Sequence, residues 1–200
     1  MRPLPRAVLA ALGAALAVLA SVGAGPAHAT ATDAQARRTT ITFAVTGCEG
    51  CTLTASQFDR STKRVFGSKG AVVADSRAVL VVPTARTRGM YFAILTPRPA
   101  RIDAQPLVTT QVAGHAPGSV VTKGQQKAGR RASACWAGTS EPAVTLSVVV
   151  DRVLMPAFPD SSRAASVPLA RFVPTVAALG GFQRAFRGVL ATQDVWLCAN

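Results

Sequence analysis

Short apolar runs, most of them ended by glycine or proline, are the feature that most restricts the fold of this chain. Ile41, Phe43 and Val45 alternate with small or polar residues, which is the pattern of a half-buried β-strand. The stretch 144–153 continues that alternation over the longest run. Regularly spaced strands without intervening helices predict an all-β fold. We expect an antiparallel, immunoglobulin-like β-sandwich, with a β-barrel as the alternative.

Further strands are expected along the chain, separated by turns rich in glycine, proline and aspartate. They cover 65–66 and 71–73 (joined as a hairpin), 78–82, 90–95, 107–112 and 195–197. The stretch 123–134 lacks β-branched residues, so we expect a short helix or an ordered loop there. The stretch 167–174 contains Pro168 and Pro174, and two prolines argue against a long regular strand.

The first 29 residues have the pattern of a cleavable secretory signal peptide. Arg2 and Arg6 supply a positive start, and an uncharged run of Ala, Leu and Val follows. Ala27 and Ala29 then supply the small residues that precede a cleavage site. We therefore expect cleavage after Ala29 and export by the general secretory route, which predicts a secreted, extracellular protein.

The remainder of the chain has the length of one domain. Residues 30–40 are small and polar, and we expect them to form a flexible N-terminal tail. Residues 41–200 are expected to form a single disulfide-stapled β domain. No second apolar run in the sequence is long enough to span a membrane.

Four cysteines, Cys48, Cys51, Cys135 and Cys198, divide into one close pair and two distant residues. An even number of cysteines in an exported chain indicates disulfide bonds. Three pairings are open, and we favour Cys48–Cys51 with Cys135–Cys198. Gly50 allows the short ring to close, and the second bond would tie the C-terminus to the segment before the longest strand.

The spacing Cys48-x-x-Cys51 also has a chemical interpretation, and thiol-disulfide exchange is one form of it. Exchange sites place the first cysteine at a helix N-terminus, whereas Thr52, Leu53 and Thr54 are a poor helix start. Copper binding is the other form, because paired thiolates suit Cu(I). We expect structural disulfides with no metal and no cofactor, and keep exchange or copper binding at Cys48 and Cys51 as the alternative function.

The run Phe43-x-Val45-x-Gly47-Cys48-x-x-Cys51 resembles the metal loop of heavy-metal-associated copper-binding domains. In those domains a strand and a glycine precede a two-cysteine loop. The resemblance implies Cu(I) held between the two thiolates.

The chain as a whole is similar to secreted β-sandwich proteins of high-GC Gram-positive bacteria. The shared features are a signal peptide, a strand that ends in Gly47-Cys48-Glu49-Gly50-Cys51-Thr52, several hairpins and the late Cys198. This resemblance implies export and a β fold, and it implies no particular activity.

The chain is strongly basic, with 22 Lys and Arg residues against nine Asp and Glu residues. Such a charge favours anionic partners. The anion-binding candidates are Lys123, Lys127, Arg130 and Arg131. Nucleic acid is not expected, because stacking aromatic residues are scarce. We expect an anionic cell-envelope polymer or another secreted or surface protein as the partner.

Catalytic candidates are few. His115 is the single histidine after the signal peptide, and it lies in a Gly/Pro-rich loop with Ser119 nearby. The chain has no nucleophile elbow, no zinc-protease motif and no phosphate-binding loop. We therefore expect a non-catalytic binding or structural protein rather than an enzyme.

Overall fold

A computed structural model describes residues 37–97, 107–125, 132–156, 162, 164–180 and 198. The described residues are all-β, as expected from the sequence. The strands are β1 (Arg38–Thr46), β2 (Thr52–Asp59), β3 (Arg64–Gly67), β4 (Ala71–Val72), β5 (Arg77–Pro83), β6 (Tyr91–Leu95), β7 (Gln111–Val112), β8 (Ala132–Ser133), β9 (Ala143–Pro156) and β10 (Ala164–Phe172). A 3-10 turn, η1 (Thr84–Arg86), joins β5 to β6. The expected signal peptide, most of the expected tail and the expected strand at 195–197 lie outside the described residues.

Two four-stranded sheets make up most of the domain. The first sheet has the order β10-β9-β1-β5, and in the second sheet β2 pairs with β3 and β4 on one side and with β6 on the other. A separate small sheet pairs β7 with β8. In the part of the chain that is described, no helix is long and apolar enough to cross a membrane.

The first sheet is mixed rather than purely antiparallel, which corrects the sequence expectation. β1 pairs antiparallel with β5 but parallel with β9, with Ile41 opposite Val144 and Phe43 opposite Leu146. The whole second sheet lies between β1 and β9 in the chain. Such a long connection lets β9 return in the same direction as β1, whereas a short hairpin would force an antiparallel pair.

The segment that contains Val108 and Thr109 joins the two sheets along one side of the domain. The Val108 N–H donates to the Phe92 carbonyl in β6 at 2.8 Å, and the Thr109 N–H donates to the Ala170 carbonyl in β10 at 2.9 Å. The Phe172 N–H donates in turn to the Thr109 carbonyl. This segment therefore closes one side of the domain with backbone hydrogen bonds.

The core lies between the inner faces of the two sheets and follows from period-two alternation. Phe92 in β6 occupies its centre and is 0% exposed. Its ring lies 5.1 Å from that of Phe43 in β1, 5.8 Å from that of Phe172 in β10 and 5.6 Å from that of Trp136. The contacts with Phe43 and Phe172 are edge-to-face, a geometry that favours association beyond simple burial. One ring of the second sheet therefore packs against two strands of the first.

Two expectations about element boundaries were wrong. β1 begins at Arg38, inside the expected tail, because its backbone pairs with β5 from that residue onward. β10 is a nine-residue strand despite Pro168. The Val173 N–H bonds to β9, whereas Ala170 and Phe172 bond to Thr109 on the other side. The alternation of hydrogen-bonding directions then turns the nitrogen of Pro168 away from β9, where no N–H is needed.

The stretch 123–134 divides between two structures. Residues 123–125 are helical, while Ala132 and Ser133 form β8. The Thr110 N–H donates to the Ser133 carbonyl, and β8 pairs with β7. Ala132 and Ser133 are therefore extended because they pair with the segment that contains β7. Local propensity could not show that partner.

We expect Phe92→Ala to lower the free energy of unfolding by about 3–5 kcal/mol, because it removes a buried ring and leaves a cavity. Chemical denaturation followed by intrinsic fluorescence measures the change. Val72→Ala is the control, because Val72 is 61% exposed and should change stability by about 0.5 kcal/mol or less. Equal losses in the two variants would contradict the central role of Phe92.

Candidate functional site

The loop that contains Cys48 and Cys51 connects β1 to β2. The two cysteines form a disulfide bond, and Cys51 is 0% exposed. Gly47 precedes the loop with a φ of +86°, a conformation that L side chains rarely adopt. A Cβ at this position would overlap the Val150 carbonyl oxygen of β9. Gly47 is therefore required where the chain turns against β9.

Glu49 fastens this loop to the turn between β4 and β5. Its carboxylate accepts hydrogen bonds from the backbone N–H groups of Asp75 at 2.9 Å and Ser76 at 3.1 Å. Asp75 and Ser76 both have positive φ angles, and Ala74 and Arg77 exchange two backbone hydrogen bonds around them. This is the arrangement of a two-residue hairpin turn, which usually needs glycine. Glu49 thus stabilises a turn made of non-glycine residues.

The surroundings of this disulfide fit a structural role. Cys48 is 9% exposed, Cys51 is fully buried, and β2 begins at the next residue, Thr52, so no helix follows the motif. Exchange sites usually have a partly exposed first cysteine at a helix N-terminus. Among the described residues, no group of three His, Cys, Asp or Glu side chains is placed to hold a metal ion.

The second disulfide joins Cys135 to Cys198, which confirms the favoured pairing. Both residues are 2% exposed, and the partly buried Tyr91, Leu107 and Leu179 pack around them. This bond attaches the C-terminal region beside β6. Two buried disulfides indicate an oxidising, extracytoplasmic setting.

His115 and Ser119 do not form a catalytic pair. The His115 N–H donates to the Val112 carbonyl, and the Ser119 hydroxyl donates to the Ala116 carbonyl instead of to the imidazole. Thr175 also donates to the Ala116 carbonyl, at 3.0 Å. The Ser119 hydroxyl and the His115 backbone therefore serve the local turn, and in the described structure this hydroxyl is not bonded to a base that would activate it.

The anion-binding candidates of the sequence fall largely outside the described part of the chain. Lys123 is described and exposed, whereas Lys127, Arg130 and Arg131 lie outside it. The structure brings together another group of cations, from segments that are far apart in the sequence.

Asp59 organises the turn between β2 and β3. One of its carboxylate oxygens accepts hydrogen bonds from the backbone N–H and hydroxyl of Ser61 and from the N–H of Thr62. These bonds hold a turn that carries three exposed cations, Arg60, Lys63 and Arg64.

Arg86 of η1 lies beside the same turn. Its guanidinium donates to the other oxygen of Asp59 at 2.8 Å and to the Gln57 side-chain carbonyl at 3.4 Å. The Gln57 amide donates to the Arg88 carbonyl at 2.7 Å. The hydroxyl of Ser61, and next the guanidinium of Arg86, hold the pKa of Asp59 well below its ordinary value.

The start of β1 reaches the same end of the domain. The Thr84 N–H of η1 donates to the Arg37 carbonyl at 2.9 Å, and the hydroxyls of Thr84 and Thr39 are 3.0 Å apart. The Thr39 hydroxyl donates to the Glu141 carbonyl. Arg37 and Glu141 therefore lie at the same end as Arg86.

We call this region the basic end. Its cations are Arg37, Arg38, Arg60, Lys63, Arg64, Arg86 and Arg88, and its described carboxylates are Asp59 and Glu141. Asp59 is already paired with Arg86. Outside the basic end, the described carboxylates are Glu49, Asp75 and Asp151, and the described cations are Lys69, Arg77, Lys123, Arg152 and Arg171. The positive charge of the described domain is therefore concentrated at the basic end.

Comparisons with protein-family models, with curated proteins and with solved structures found no significant match.

We expect the two disulfides to contribute unequally to stability. Replacing Cys135 and Cys198 with serine should cost about 4 kcal/mol, and replacing Cys48 and Cys51 about 2 kcal/mol, because a longer loop restricts the unfolded chain more. Urea denaturation of the two double variants measures the difference. A larger loss of unfolding free energy in the Cys48/Cys51 variant would contradict this order. It would show that the contacts of Gly47 and Glu49 in the short loop matter more than the length of the closed loop.

Asp59 should make stability depend on acidic pH. Its folded-state pKa is lowered, so its stabilisation is complete above the ordinary value near 4 and is lost as the pH falls toward the lowered value. Asp59→Asn should therefore flatten the decline in unfolding free energy below about pH 4. Urea denaturation across acidic pH values measures this, with Asp75→Asn as the control. An identical pH slope in Asp59→Asn and the unchanged protein would contradict this role.

Proposed function

We propose that this protein is an exported, non-catalytic binding protein that associates with an anionic polymer of the cell envelope through its basic end. The observation that carries the proposal is the meeting of three separate segments, around residues 37–38, 60–64 and 86–88, at one end of the fold. Each segment contributes exposed arginine or lysine side chains. A concentrated positive field attracts a polyanion at long range.

The fixed turn at Asp59 supports this proposal. Its hydrogen bonds hold the backbone that carries Arg60, Lys63 and Arg64. A turn that is already ordered loses less conformational entropy when it binds. Asp59 and Gln57 hold the guanidinium of Arg86. Arg86 therefore supplies positive charge from a fixed position.

Export belongs to the same proposal. We propose that residues 1–29 are removed after Ala29 and that the mature protein is secreted. The two disulfides support an oxidising compartment. We further propose that the two sheets with their shared core are an immunoglobulin-like sandwich, a scaffold that presents its ligand-binding loops at one end.

The proposal is tested by binding of a purified, phosphate-rich wall polymer to the mature protein over a range of salt concentrations. We expect affinity to fall steeply with salt, because binding releases counterions. The variant Arg60→Ser/Lys63→Asn/Arg64→Ser should bind about 100-fold more weakly, at roughly 1 kcal/mol per cation near an anionic surface. Asparagine suits position 63, because Lys63 has a φ of 56°.

A matched variant removes equal charge elsewhere. Lys69→Ser/Arg77→Ser/Arg152→Ser loses three exposed cations outside the basic end and should keep at least a third of the affinity. Equal losses in the two triple variants would show that net charge alone drives binding. Salt-insensitive binding, or none, would overturn the proposal.

A second variant set tests the site expected from the sequence. Neutralising Lys123, Lys127, Arg130 and Arg131 should change affinity less than neutralising the turn at 60–64. A greater loss of affinity in that variant would show that the binding site lies in the 123–131 segment instead.

A further inference from the structure

β5 forms one edge of the first sheet. Hydrogen bonds at its two ends show which of its residues direct their backbone groups toward β1. The Thr84 N–H donates to the Arg37 carbonyl, and the Val45 N–H donates to the Ser76 carbonyl. In an antiparallel pair, hydrogen-bonded positions alternate with non-bonded ones. The register then turns the backbone of Leu80 toward β1, and the backbones of its neighbours on either side away from β1.

Those neighbours are Val79 and Val81, and they form the open edge of β5. Their side chains are 40% and 47% exposed. Among the described residues, the one side chain bonded to this edge is Arg38, whose guanidinium donates to the Val81 carbonyl at 2.9 Å. Unpaired strand edges are templates for another extended chain.

On the opposite side of the domain, an extended segment pairs with the edges of both sheets. There, Val108 and Thr109 bond to β6 and to β10, so that an extended segment bridges the two sheets. On the β5 side, the described bridge between the sheets is the turn that pairs Ala74 with Arg77. Beyond that turn, the edge from Val79 to Pro83 lacks a comparable strand in the described structure.

Charge indicates the kind of chain that would fit. Arg77 stands before the open edge, and Arg38 lies opposite Pro83 at its far end. Both are exposed. The neighbouring positions of β1 on the same face are Thr40 and Thr42, which carry no charge. The edge therefore offers a short apolar centre between two cations.

We propose that the open edge of β5 binds an extended acidic segment of a partner protein, which adds to the first sheet as a fifth strand. Backbone hydrogen bonds to Val79 and Val81 would supply affinity, as in other strand-addition complexes. Acidic side chains at the two ends of the segment pair with Arg77 and with Arg38, once Arg38 leaves the Val81 carbonyl. Pro83 has no N–H and ends the pairing. A second copy of this chain is disfavoured, because self-pairing would bring cations together.

The probe is a short blocked peptide of alternating valine and threonine with glutamate at each end. Binding to the mature protein is measured by fluorescence anisotropy of a labelled peptide. Val81→Pro removes an N–H that does not serve β1, so the domain should stay folded while peptide affinity falls at least tenfold. Val81→Thr keeps that N–H and is the matched control, with affinity within threefold of the unchanged protein.

Three peptide-binding outcomes would overturn the proposal. They are equal binding of a peptide with lysine in place of glutamate, equal loss in Val81→Thr and Val81→Pro, and absence of binding. Circular dichroism checks the fold of each variant, and if Val81→Pro unfolds, methylation of alternate peptide nitrogens replaces it and should abolish binding. A wild-type dimer lost in Val81→Pro would show that the edge serves self-association instead. The variant Arg60→Ser/Lys63→Asn/Arg64→Ser keeps Arg38 and should bind this peptide with unchanged affinity. Failure of one proposal can therefore be distinguished from failure of the other.

Discussion

The contact of Phe92, in the second sheet, with two rings of the first sheet is the interaction on which the rest of the fold depends. Phe43 comes from β1 and Phe172 from β10, so that one ring sets the spacing of the two sheets at their centre. Trp136 packs on the same ring just after β8, which places the neighbouring Cys135 beside β6. The second disulfide thus attaches the C-terminal region to a position that the aromatic cluster has already defined.

The two sides of the domain differ in a way that matters for binding. The segment around Val108 and Thr109 satisfies backbone groups of both sheets on one side. On the other side, β5 keeps backbone groups directed outward at Val79 and Val81, and Arg38 bonds to one of them. A protein with open strand edges must protect them, and a charged side chain and a proline are common means. Arg38 and Pro83 meet that need here and would set the length of any added strand.

The Cys48–Cys51 loop illustrates how a motif with chemical associations can serve structure. Gly47 turns against β9, the cysteines form a buried bond, and Glu49 accepts two backbone N–H groups from the next turn. The carboxylate of Glu49 is fully engaged in holding a neighbouring turn. The carboxylate of Asp59 likewise holds a turn at the basic end, and that turn carries cations.

The sequence by itself determined the all-β class and most of the strands, because period-two alternation, glycine and proline are local signals. Of the three disulfide pairings that it left open, it favoured the one that forms. Its exclusion of a strand at Pro168 was wrong, since the cost of proline depends on which side of a strand has a partner. It also could not foresee the parallel pairing of β1 with β9, or the meeting of Arg37, Lys63 and Arg86 at one end. Those features depend on contacts between residues far apart in the chain, and only the tertiary structure decides which of them form.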